Sequence, residues 1–486
     1  MGEILGHLKP AELWNHFEEI CKRPHPSKKE EKLAEYIVSV GKRNNLETLT
    51  DDFGNVLIRK PATPGKENFK TVVLQGHLDM VPEKNSDSSF NFETDPIQPV
   101  VDGDWVKATG TTLGSDNGIG VAAALAVLES KDLQHGPIEA LFTLDEETGM
   151  FGANALTSDF LKGEIMLNMD SEEDGALYIG CAGGKNTDAK FVFTPANAPA
   201  KHFAYQVVVS GLKGGHSGLD IHMGKGNAIK IMGRLLTDLV KKFEIRVAKF
   251  DAGSKHNAIP RESFATVYVK EKSAEKFVEF ILEFNNMIKN ELGSVEPNFK
   301  ITAEPVKSKA KVIDKKTTDN LLKALYAVPH GVLKMSADIP GLVETSTNLA
   351  IIKTAGKSVS IVTSQRSSVE SEKDDAANTV AAVFELAKAK VKHGDDYPGW
   401  QPDINSPILK TMVDVFKNKY GSEPEIKAIH AGLETGLIKE KYLDMDMISF
   451  GPTIMGAHSP DERVQISTVG KFWDILVDVL KNIPTK

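Results

Sequence analysis

The 486-residue sequence has little cysteine and no long hydrophobic run. Two cysteines, Cys21 and Cys181, are too few to cross-link a chain of this length, so packed hydrophobic cores must stabilise it. The longest apolar run, around 119–128, is much shorter than the ~20 residues that span a bilayer. No cationic region followed by an apolar stretch opens the sequence. These absences predict a soluble, cytoplasmic protein with no membrane partner.

The sequence also lacks an excess of basic residues. Its 58 lysine and arginine residues are outnumbered by 67 aspartate and glutamate residues, which gives a net charge of −9. A protein that binds duplex nucleic acid needs a basic surface, and no dense basic cluster is present here. The composition therefore argues against nucleic acid as a partner. A chain of this length and ordinary composition is expected to form two or three globular domains.

The order of the apolar segments predicts two kinds of domain. In the first part of the chain a helix lies between two apolar strands, at 71–80, 117–129 and 138–144. This βαβ order predicts an α/β domain with a buried sheet. From about residue 186, hairpins alternate with amphipathic helices, one of which is predicted over 371–391. That part is long enough for two α+β units in tandem, and the α/β pattern resumes at about residue 398.

An imidazole and a carboxylate end the first of these strands. His77 and Asp79 lie two residues apart in QGHLDM, so both side chains face the same side of the strand. A metal-bound histidine usually donates its second ring N–H to a carboxylate, and Asp79 is well placed to orient His77 in this way. On its own, the pair is also compatible with an ordinary surface His–Asp contact.

Three carboxylates in succession follow the strand 138–144. Neighbouring side chains of an extended segment point in opposite directions, so Glu146 and Glu147 are expected to have different roles. One can coordinate a cation while the other faces bound water. The alternative is a solvated acidic turn, although such a turn rarely follows a wholly apolar strand. Further ionisable groups follow other strands or open a helix: Asp116, Asp170 and His458.

The glycine-rich segment TTLGSDNGIG allows a second interpretation. Gly118 and Gly120 resemble part of a dinucleotide-binding fingerprint. However, Asp116 would place negative charge where the pyrophosphate must lie, and the same residue could simply cap the helix. A nucleotide-binding protein therefore remains only a remote alternative.

The scattered ionisable groups are expected to meet, because ligands of open α/β sheets gather beyond the carboxyl ends of the strands. Two divalent cations would bring four positive charges, which three carboxylates and a bridging hydroxide balance. Mixed nitrogen and oxygen ligation suits Zn²⁺, with Mn²⁺ or Co²⁺ as alternatives. The predicted metal ligands are His77, Asp116, Glu147, Asp170 and His458.

Seven phrases in one order link the whole chain to a known family. They are QGHLDMVP, TTLGSDNGIG, LDEETGMFGA, NMDSEE, KGGHSG, HAGLETG and GAHSPDE. In these phrases the sequence resembles the M20 family of metallopeptidases, and within it the aminoacyl-histidine dipeptidase branch. The resemblance implies an α/β fold: a zinc-exopeptidase-like catalytic domain over 1–185 and 398–486, with a mixed sheet flanked by helices. A large α+β lid and dimerisation domain over 186–397, made of two tandem ferredoxin-like units, would interrupt it and form a homodimer.

The resemblance implies a role for each predicted ligand. Asp116 would bridge the two metal ions. His77 and Asp170 would complete the shell of one ion, and Glu147 and His458 the shell of the other. The family also implies a cis peptide bond directly after the bridging aspartate.

The resemblance further implies which residues act on the substrate. Asp79 would orient the first histidine ligand, and Glu146 would be the general base. In the lid, His216 would reach the active site of a partner subunit and polarise the scissile carbonyl. Three more residues would hold the backbone, the carboxylate and the free amine of the substrate: Asn257, Arg366 and Glu434.

Together these features predict a di-metal, zinc-dependent dipeptidase that acts on small peptides of the Xaa-His type, such as carnosine-like dipeptides. A metal-bridging hydroxide would attack the carbonyl, while Glu146 moves the proton to the leaving nitrogen. The alternatives within the family are another amidohydrolase, a tripeptidase and a deacetylase. Outside it, the alternatives are a non-catalytic metal-binding protein and the nucleotide-binding protein considered above.

Overall fold

The computed structural model describes residue 2 and residues 4–486. The chain forms two compact units, each made of segments that are distant in sequence. The first unit contains Met1–Cys181, Trp400–Ala428 and Leu433–Lys486. The second unit contains Ala182–Gly399 and the short segment Ile429–Gly432. The domain division expected from the sequence does not include this short segment in the second domain.

Helices and strands both occur throughout the described residues, and none of the helices there is long and apolar enough to cross a membrane. The helices are α1 (Ala11–Cys21), α2 (Glu31–Arg43), α3 (Ser115–Glu129), α4 (Phe151–Ala155), α5 (Ala228–Phe243), α6 (Ala274–Leu292), α7 (Lys315–Ala327), α8 (Glu370–Leu386), α9 (Pro407–Tyr420), α10 (Glu434–Lys441) and α11 (Ile466–Lys481), with a short 3₁₀ helix at Glu271–Ser273. The strands are β1 (Glu47–Thr50), β2 (Val56–Lys60), β3 (Val72–His77), β4 (Val100–Asp102), β5 (Trp105–Lys107), β6 (Ile138–Thr143), β7 (Ile165–Asn168), β8 (Ala176–Cys181), β9 (Gly183–Val192), β10 (His202–Ser210), β11 (Gly215–His216), β12 (Arg246–Ala252), β13 (Ala258–Ile259), β14 (Ser263–Lys270), β15 (Lys300–Pro305), β16 (Gly331–Met335), β17 (Val343–Ala355), β18 (Ser358–Ser367), β19 (Lys390–Tyr397), β20 (Glu425–Ile429), β21 (Asp446–Ser449), β22 (Ile454–Met455) and β23 (Arg463–Gln465).

An eight-stranded mixed sheet is the centre of the first unit, in the order β1-β2-β6-β3-β7-β21-β8-β20. β3 pairs in parallel with β6 and β7, and β7 pairs in parallel with β21. β3 and β6 are buried along their whole length, as expected for strands covered on both faces. Because these four strands are parallel, their carboxyl ends lie at the same edge of the sheet.

Helix α3 approaches this sheet closely because glycines face its neighbours. A Cβ on Gly120 would lie 2.5 Å from the carbonyl oxygen of Met169, just after β7. The side chain of Asn117 donates to the same oxygen at 2.6 Å. A Cβ on Gly118 would lie 3.0 Å from the ring of Phe17. The glycines that resemble a dinucleotide fingerprint therefore allow close packing of the helix.

The second unit is built on a nine-stranded sheet, in the order β15-β10-β14-β12-β17-β18-β9-β19, with β16 beside β17. The elements β10, α5, β12, β14, α6 and β15 follow the βαββαβ order of a ferredoxin-like unit. The elements β9, α7, β17, β18, α8 and β19 follow the same order. Since β9 precedes the whole first set, one set is inserted into the other, and the two are not consecutive. They meet where Ala252 pairs with Ile352.

The segment after α8 differs from the sequence prediction. A helix is predicted over 371–391, but α8 ends at Leu386 and the strand β19 follows. Lys388 has a φ of 67°, a left-handed conformation that does not continue a right-handed helix. β19 forms the edge of the sheet, and its sequence KVKHGDDY is mostly exposed. Such a strand has little apolar alternation, so its sequence does not indicate a strand.

Replacing Gly120 by alanine is expected to destabilise the first unit by about 1–3 kcal/mol, because the added methyl group overlaps the carbonyl oxygen of Met169. Gly470, in α11, offers a matched control. There the closest described atom that the new methyl group would meet is the carbonyl oxygen of Lys9, at 3.9 Å. Gly470→Ala should stabilise the protein by about 0.4–1 kcal/mol, through reduced freedom of the unfolded chain. Urea unfolding followed by circular dichroism measures both, and effects of the same sign would contradict the packing argument.

Candidate metal centre

The carboxyl edge of the parallel strands brings the five predicted ligands together in the first unit. His77 is the last residue of β3, Glu147 follows β6, and Asp170 follows β7. Asp116 is the second residue of α3, and His458 lies in the loop after β22. Residues that are up to 381 positions apart in sequence (458 minus 77) therefore meet at one edge of a sheet.

Asp116 lies between two imidazoles. Its Oδ1 is 3.2 Å from Nε2 of His77, and its Oδ2 is 3.1 Å from Nε2 of His458. Nε2 of His77 also lies 3.3 Å from Oδ1 of Asp170. Nε2 of His458 lies 2.9 Å from Oε1 of Glu147. Each imidazole thus faces two carboxylates, and Asp116 is common to both groups.

Both groups have the geometry of cation ligands. In each, one ligand atom per residue lies within 4.8 Å of the others. Oδ1 of Asp170 and Oε1 of Glu147 are buried and have no hydrogen-bond partner among the described residues, although an imidazole Nε2 lies 3.3 Å from the first and 2.9 Å from the second. An unpartnered buried carboxylate oxygen is costly, and a cation in each group would remove that cost. The donor set therefore fits two divalent ions, and its mixed nitrogen and oxygen atoms suit zinc.

Asp79 contacts both the first imidazole and the turn after β6. Nδ1 of His77 lies 3.0 Å from the carbonyl oxygen of Asp79 and 3.3 Å from its Oδ1, so Nδ1 donates and Nε2 is left to act as a ligand. The Asp79 carboxylate accepts the backbone N–H groups of Glu146 at 2.9 Å and Glu147 at 3.1 Å. Although burial opposes its ionisation, the imidazole, the amide of Glu146 and the hydroxyl of Ser27 lower the pKa of Asp79 to about 2.

Glu146 is a carboxylate with a raised proton affinity. Burial raises the pKa of Glu146 well above its usual value, and the nearby carboxylates of Asp170, Glu434 and Glu147 raise it further, although His77 opposes them. A carboxyl group that must accept and later return a proton near neutral pH needs such a shift. The peptide bond Asp116–Asn117 is cis, as the family resemblance implied.

Glu434 is held at the same edge of the sheet by two neighbouring strands. Its Oε2 accepts a hydrogen bond from Nε2 of Gln75 in β3 at 2.6 Å and from Oγ1 of Thr143 in β6 at 2.7 Å. Its Oε1 has no hydrogen-bond partner among the described residues, although the side chain is only 1% exposed. Burial raises the pKa of Glu434 to about 7, against the opposing effects of His77 and Thr143. One oxygen of Glu434 is therefore available to a further donor.

The second unit brings the other three predicted residues together. His216 in β11 pairs with Ala258 in β13, next to Asn257. The N–H of Ser217 donates to the carbonyl oxygen of Asn257 at 2.8 Å. Nε of Arg366 lies 3.4 Å from Oγ of Ser217. His216, Asn257 and Arg366 therefore lie on adjacent backbone segments.

His216 is a neutral imidazole in a fixed tautomer. Its Nδ1 accepts the backbone N–H groups of Gly218 and Leu219, both at 3.2 Å. Nδ1 is therefore unprotonated, and Nε2 holds the proton. Burial lowers the pKa of His216, and the neighbouring Arg366 lowers it further. The ring can donate a hydrogen bond to a carbonyl oxygen through Nε2.

Arg366 is a buried cation with no acidic partner. Its guanidinium group donates to the hydroxyl of Tyr397 at 2.8 Å, in addition to Ser217, and the residue is 5% exposed. No carboxylate of the described part of the chain forms an ion pair with it. A buried guanidinium is stabilised when it binds a carboxylate in a bidentate manner. Arg366 is therefore suited to bind an anionic group of a ligand.

Three residues that support Asp116 and Glu434 were not predicted from the sequence. Gln75 and Thr143 fix Glu434, and Glu462 binds the backbone that leads to Asp116. Gln75 and Thr143 lie inside apolar strands. A polar residue in such a strand was the sequence signal that could have pointed to a supporting role. Glu462 follows His458 closely in GAHSPDE, so its proximity to a predicted ligand was the signal there.

Comparisons with known proteins show the family and the fold. Residues 73–482 match the model of Peptidase family M20/M25/M40, and the chain belongs to this family. It is similar to the cytosol non-specific dipeptidase of Escherichia coli (strain K12), with 44% identity over 482 residues that cover 99% of either chain. The crystal structure of aminoacylhistidine dipeptidase from Vibrio alginolyticus shares 47% identity and a TM-score of 0.93, over 99% of this chain and 98% of that one. Aminopeptidase PepT from Bacillus cereus ATCC 10987, 15% identical with a TM-score of 0.58 over 98% of this chain and 99% of that one, shares the fold alone. The predicted family and α/β fold class are confirmed.

The mutation Asp116→Asn is expected to weaken metal binding by both ligand groups, because the two carboxylate oxygens of Asp116 belong to different groups. Asp170→Asn changes one group only and should leave one tight site. Titration of metal-free protein with Zn²⁺ against a chromophoric chelator should give two tight ions per chain for the wild type, one for Asp170→Asn and none for Asp116→Asn. Asp52→Asn, which changes an exposed carboxylate, is the control. Two tight ions in Asp116→Asn would contradict its position as the shared ligand.

Proposed function

We propose that this chain is a metal-dependent dipeptidase, and that its first unit is the catalytic domain. The observation that carries the proposal is the position of Asp116, whose two oxygens lie 3.2 and 3.1 Å from the imidazoles of His77 and His458. Membership of a peptidase family supports hydrolysis of a peptide bond. Two relatives that match almost the whole chain are named as dipeptidases, which supports dipeptides as the substrates.

Two divalent cations would be held by His77 and Asp170 on one side and by Glu147 and His458 on the other, with Asp116 between them. Mixed imidazole and carboxylate ligation favours Zn²⁺, with Mn²⁺ or Co²⁺ as alternatives. When bound, the ions would lower the pKa of a coordinated water and polarise the carbonyl group of the scissile bond.

Glu146 would act as the general base. It would take a proton from the attacking water and later deliver it to the leaving nitrogen. Its position supports this role, because a carboxylate oxygen of Glu146 lies within 4.8 Å of ligand atoms of His77 and Glu147. Asp79 would keep the turn in place by accepting the N–H groups of Glu146 and Glu147. The two neighbouring glutamates could then serve different purposes, one for proton transfer and one for metal binding.

The substrate would be recognised at both of its charged ends. The buried guanidinium of Arg366, without an acidic partner in the described chain, would bind the carboxylate. The free Oε1 of Glu434 would accept a hydrogen bond from the ammonium group. His216 would donate from Nε2 to the carbonyl oxygen as negative charge develops there, and Asn257 would contact the peptide backbone.

We propose further that the second unit is a lid and dimerisation domain, in which His216 serves the active site of a partner subunit. The family resemblance supports this arrangement. The Vibrio alginolyticus relative is named for aminoacylhistidine substrates, which supports Xaa-His dipeptides as substrates of this chain. The Escherichia coli relative is named as a cytosol dipeptidase, which supports a cytoplasmic location for this chain.

Glu146→Gln should lower kcat by about 100- to 10,000-fold, because the amide cannot accept and return the proton. Its Zn²⁺ content, measured by atomic absorption, should equal that of the wild type, since Glu146 is not one of the proposed ligands. Glu35→Gln, which changes an exposed glutamate of α2, is the control and should keep full activity. An unchanged kcat for dipeptide hydrolysis would refute the role of Glu146 as the base.

Arg366→Met should lower kcat/KM for a dipeptide by about 10- to 100-fold, mainly through KM, because a charged hydrogen bond to the substrate is lost. The same dipeptide with an amidated C-terminus should be a poor substrate of the wild type, and the mutation should hardly affect it further. The exposed Arg261 provides the control Arg261→Met. Equal losses with the free and the amidated dipeptide would show that Arg366 does not bind the carboxylate.

A further inference from the structure

We infer that Glu462 is a positioning residue that fixes the segment before Asp116 to the loop that contains His458. The inference rests on the proposed metal-dependent function, because its effect would be seen in metal binding. Glu462 is 2% exposed and lies four residues after His458, between β22 and β23. Neither the metal ligation nor the proton transfer described above uses it.

The carboxylate of Glu462 accepts five hydrogen bonds from one short segment. Its Oε2 accepts the backbone N–H groups of Leu113 at 2.8 Å and Gly114 at 3.0 Å. Its Oε1 accepts the N–H groups of Ser115 at 2.7 Å and Asp116 at 3.2 Å, and the hydroxyl of Ser115 at 2.6 Å. Successive N–H groups that converge in this way form an anion-binding nest. Here the anion is a side chain of the same protein.

The backbone before α3 needs an acceptor of this kind. Gly114 has a φ of 74°, and no side chain of the adjacent residues caps the helix. Asp116 has φ −84° and ψ 108°, so the first residues do not follow helical geometry. The first N–H groups of a helix have no partner within it, and buried N–H groups without an acceptor are costly. Glu462 supplies the missing acceptor from a distant part of the sequence.

The contacts of Glu462 connect two ligands that lie 342 residues apart. At one end, Glu462 binds the N–H of Asp116 itself. At the other end, the tight loop 456–462 links it to His458, with the N–H of Glu462 donating to the carbonyl oxygen of Ser459 at 3.1 Å. The separation of 3.1 Å between Oδ2 of Asp116 and Nε2 of His458 therefore depends on this connection. Removal of such supporting contacts typically weakens metal binding by about 10- to 100-fold.

Two variants remove the contacts to different extents. Glu462→Gln replaces one acceptor oxygen by an NH₂ group, which donates and does not accept. Its hydrogen atoms would face the backbone N–H groups that now donate to that oxygen. Ser115→Ala removes only the hydroxyl contact and keeps the four backbone contacts, so it is the milder change. Asp461→Asn alters the adjacent carboxylate, which is exposed, and is the matched control.

The test is titration of each metal-free protein with Zn²⁺ against a competing chelator, with dipeptide hydrolysis measured at rising Zn²⁺ concentration. We expect wild type and Asp461→Asn to bind two ions alike. Glu462→Gln should bind the ion shared by Asp116 and His458 about 10- to 100-fold more weakly, and Ser115→Ala several-fold more weakly. Added Zn²⁺ should restore kcat while KM stays constant, because the substrate contacts are intact. A role in fold stability alone would not make activity depend on the metal concentration in this way.

The inference is overturned if folded Glu462→Gln binds two ions with wild-type affinity. If Glu462→Gln does not fold, wild-type affinity in Ser115→Ala overturns it instead. Failure of the wild type itself to bind two ions has a different meaning: it would refute the proposed metal-dependent function.

Discussion

Three parallel strands end at one edge of a sheet, and the geometry of the candidate metal centre depends on that alignment. The register of β3 and β6 places His77 opposite Thr143, so the acidic turn after β6 begins level with the imidazole. A shift of one residue would turn these side chains to the opposite face of the sheet. The close approach of α3, which requires a glycine at position 120, then brings Asp116 to the same edge. The register of the strands and the close packing of α3 therefore bring distant parts of the sequence together.

Hydrogen bonding divides four of the buried carboxylates of this edge into two kinds. Asp79 and Glu462 accept several N–H or O–H groups each, so the protein itself supplies hydrogen-bond donors to their oxygens. Asp170 and Glu147 keep a buried oxygen without any donor among the described residues. Carboxylates of the first kind hold backbone in place, whereas those of the second kind need a cation from outside the chain.

This division explains what the sequence could and could not predict. The five candidate ligands could be proposed from the sequence because each lies at the end of an apolar strand, in a loop after one or at the start of a helix, and because their order resembles that of a known family. The contacts of Glu462 were not predictable, since its donors are backbone N–H groups whose direction depends on the fold. The strand β19 was missed for a related reason: at the edge of a sheet its residues are charged and exposed, so they lack strand periodicity. The segment Ile429–Gly432 belongs to the second unit through contacts that no local pattern indicates.

Glu434 belongs to neither kind, and this bears on the choice between substrates. One of its oxygens is bound by Gln75 and Thr143, while the other has no partner in the described chain. An ammonium group would give that oxygen a charge-assisted hydrogen bond, which is roughly twice as strong as a neutral one. An acylated nitrogen is uncharged and offers at most one N–H, so it could give that oxygen only the weaker, neutral-donor hydrogen bond. Glu434, with one oxygen unpartnered, therefore favours peptides with a free amino group over the acylated substrates of a deacetylase. This preference agrees with a dipeptidase activity better than with a deacetylase activity.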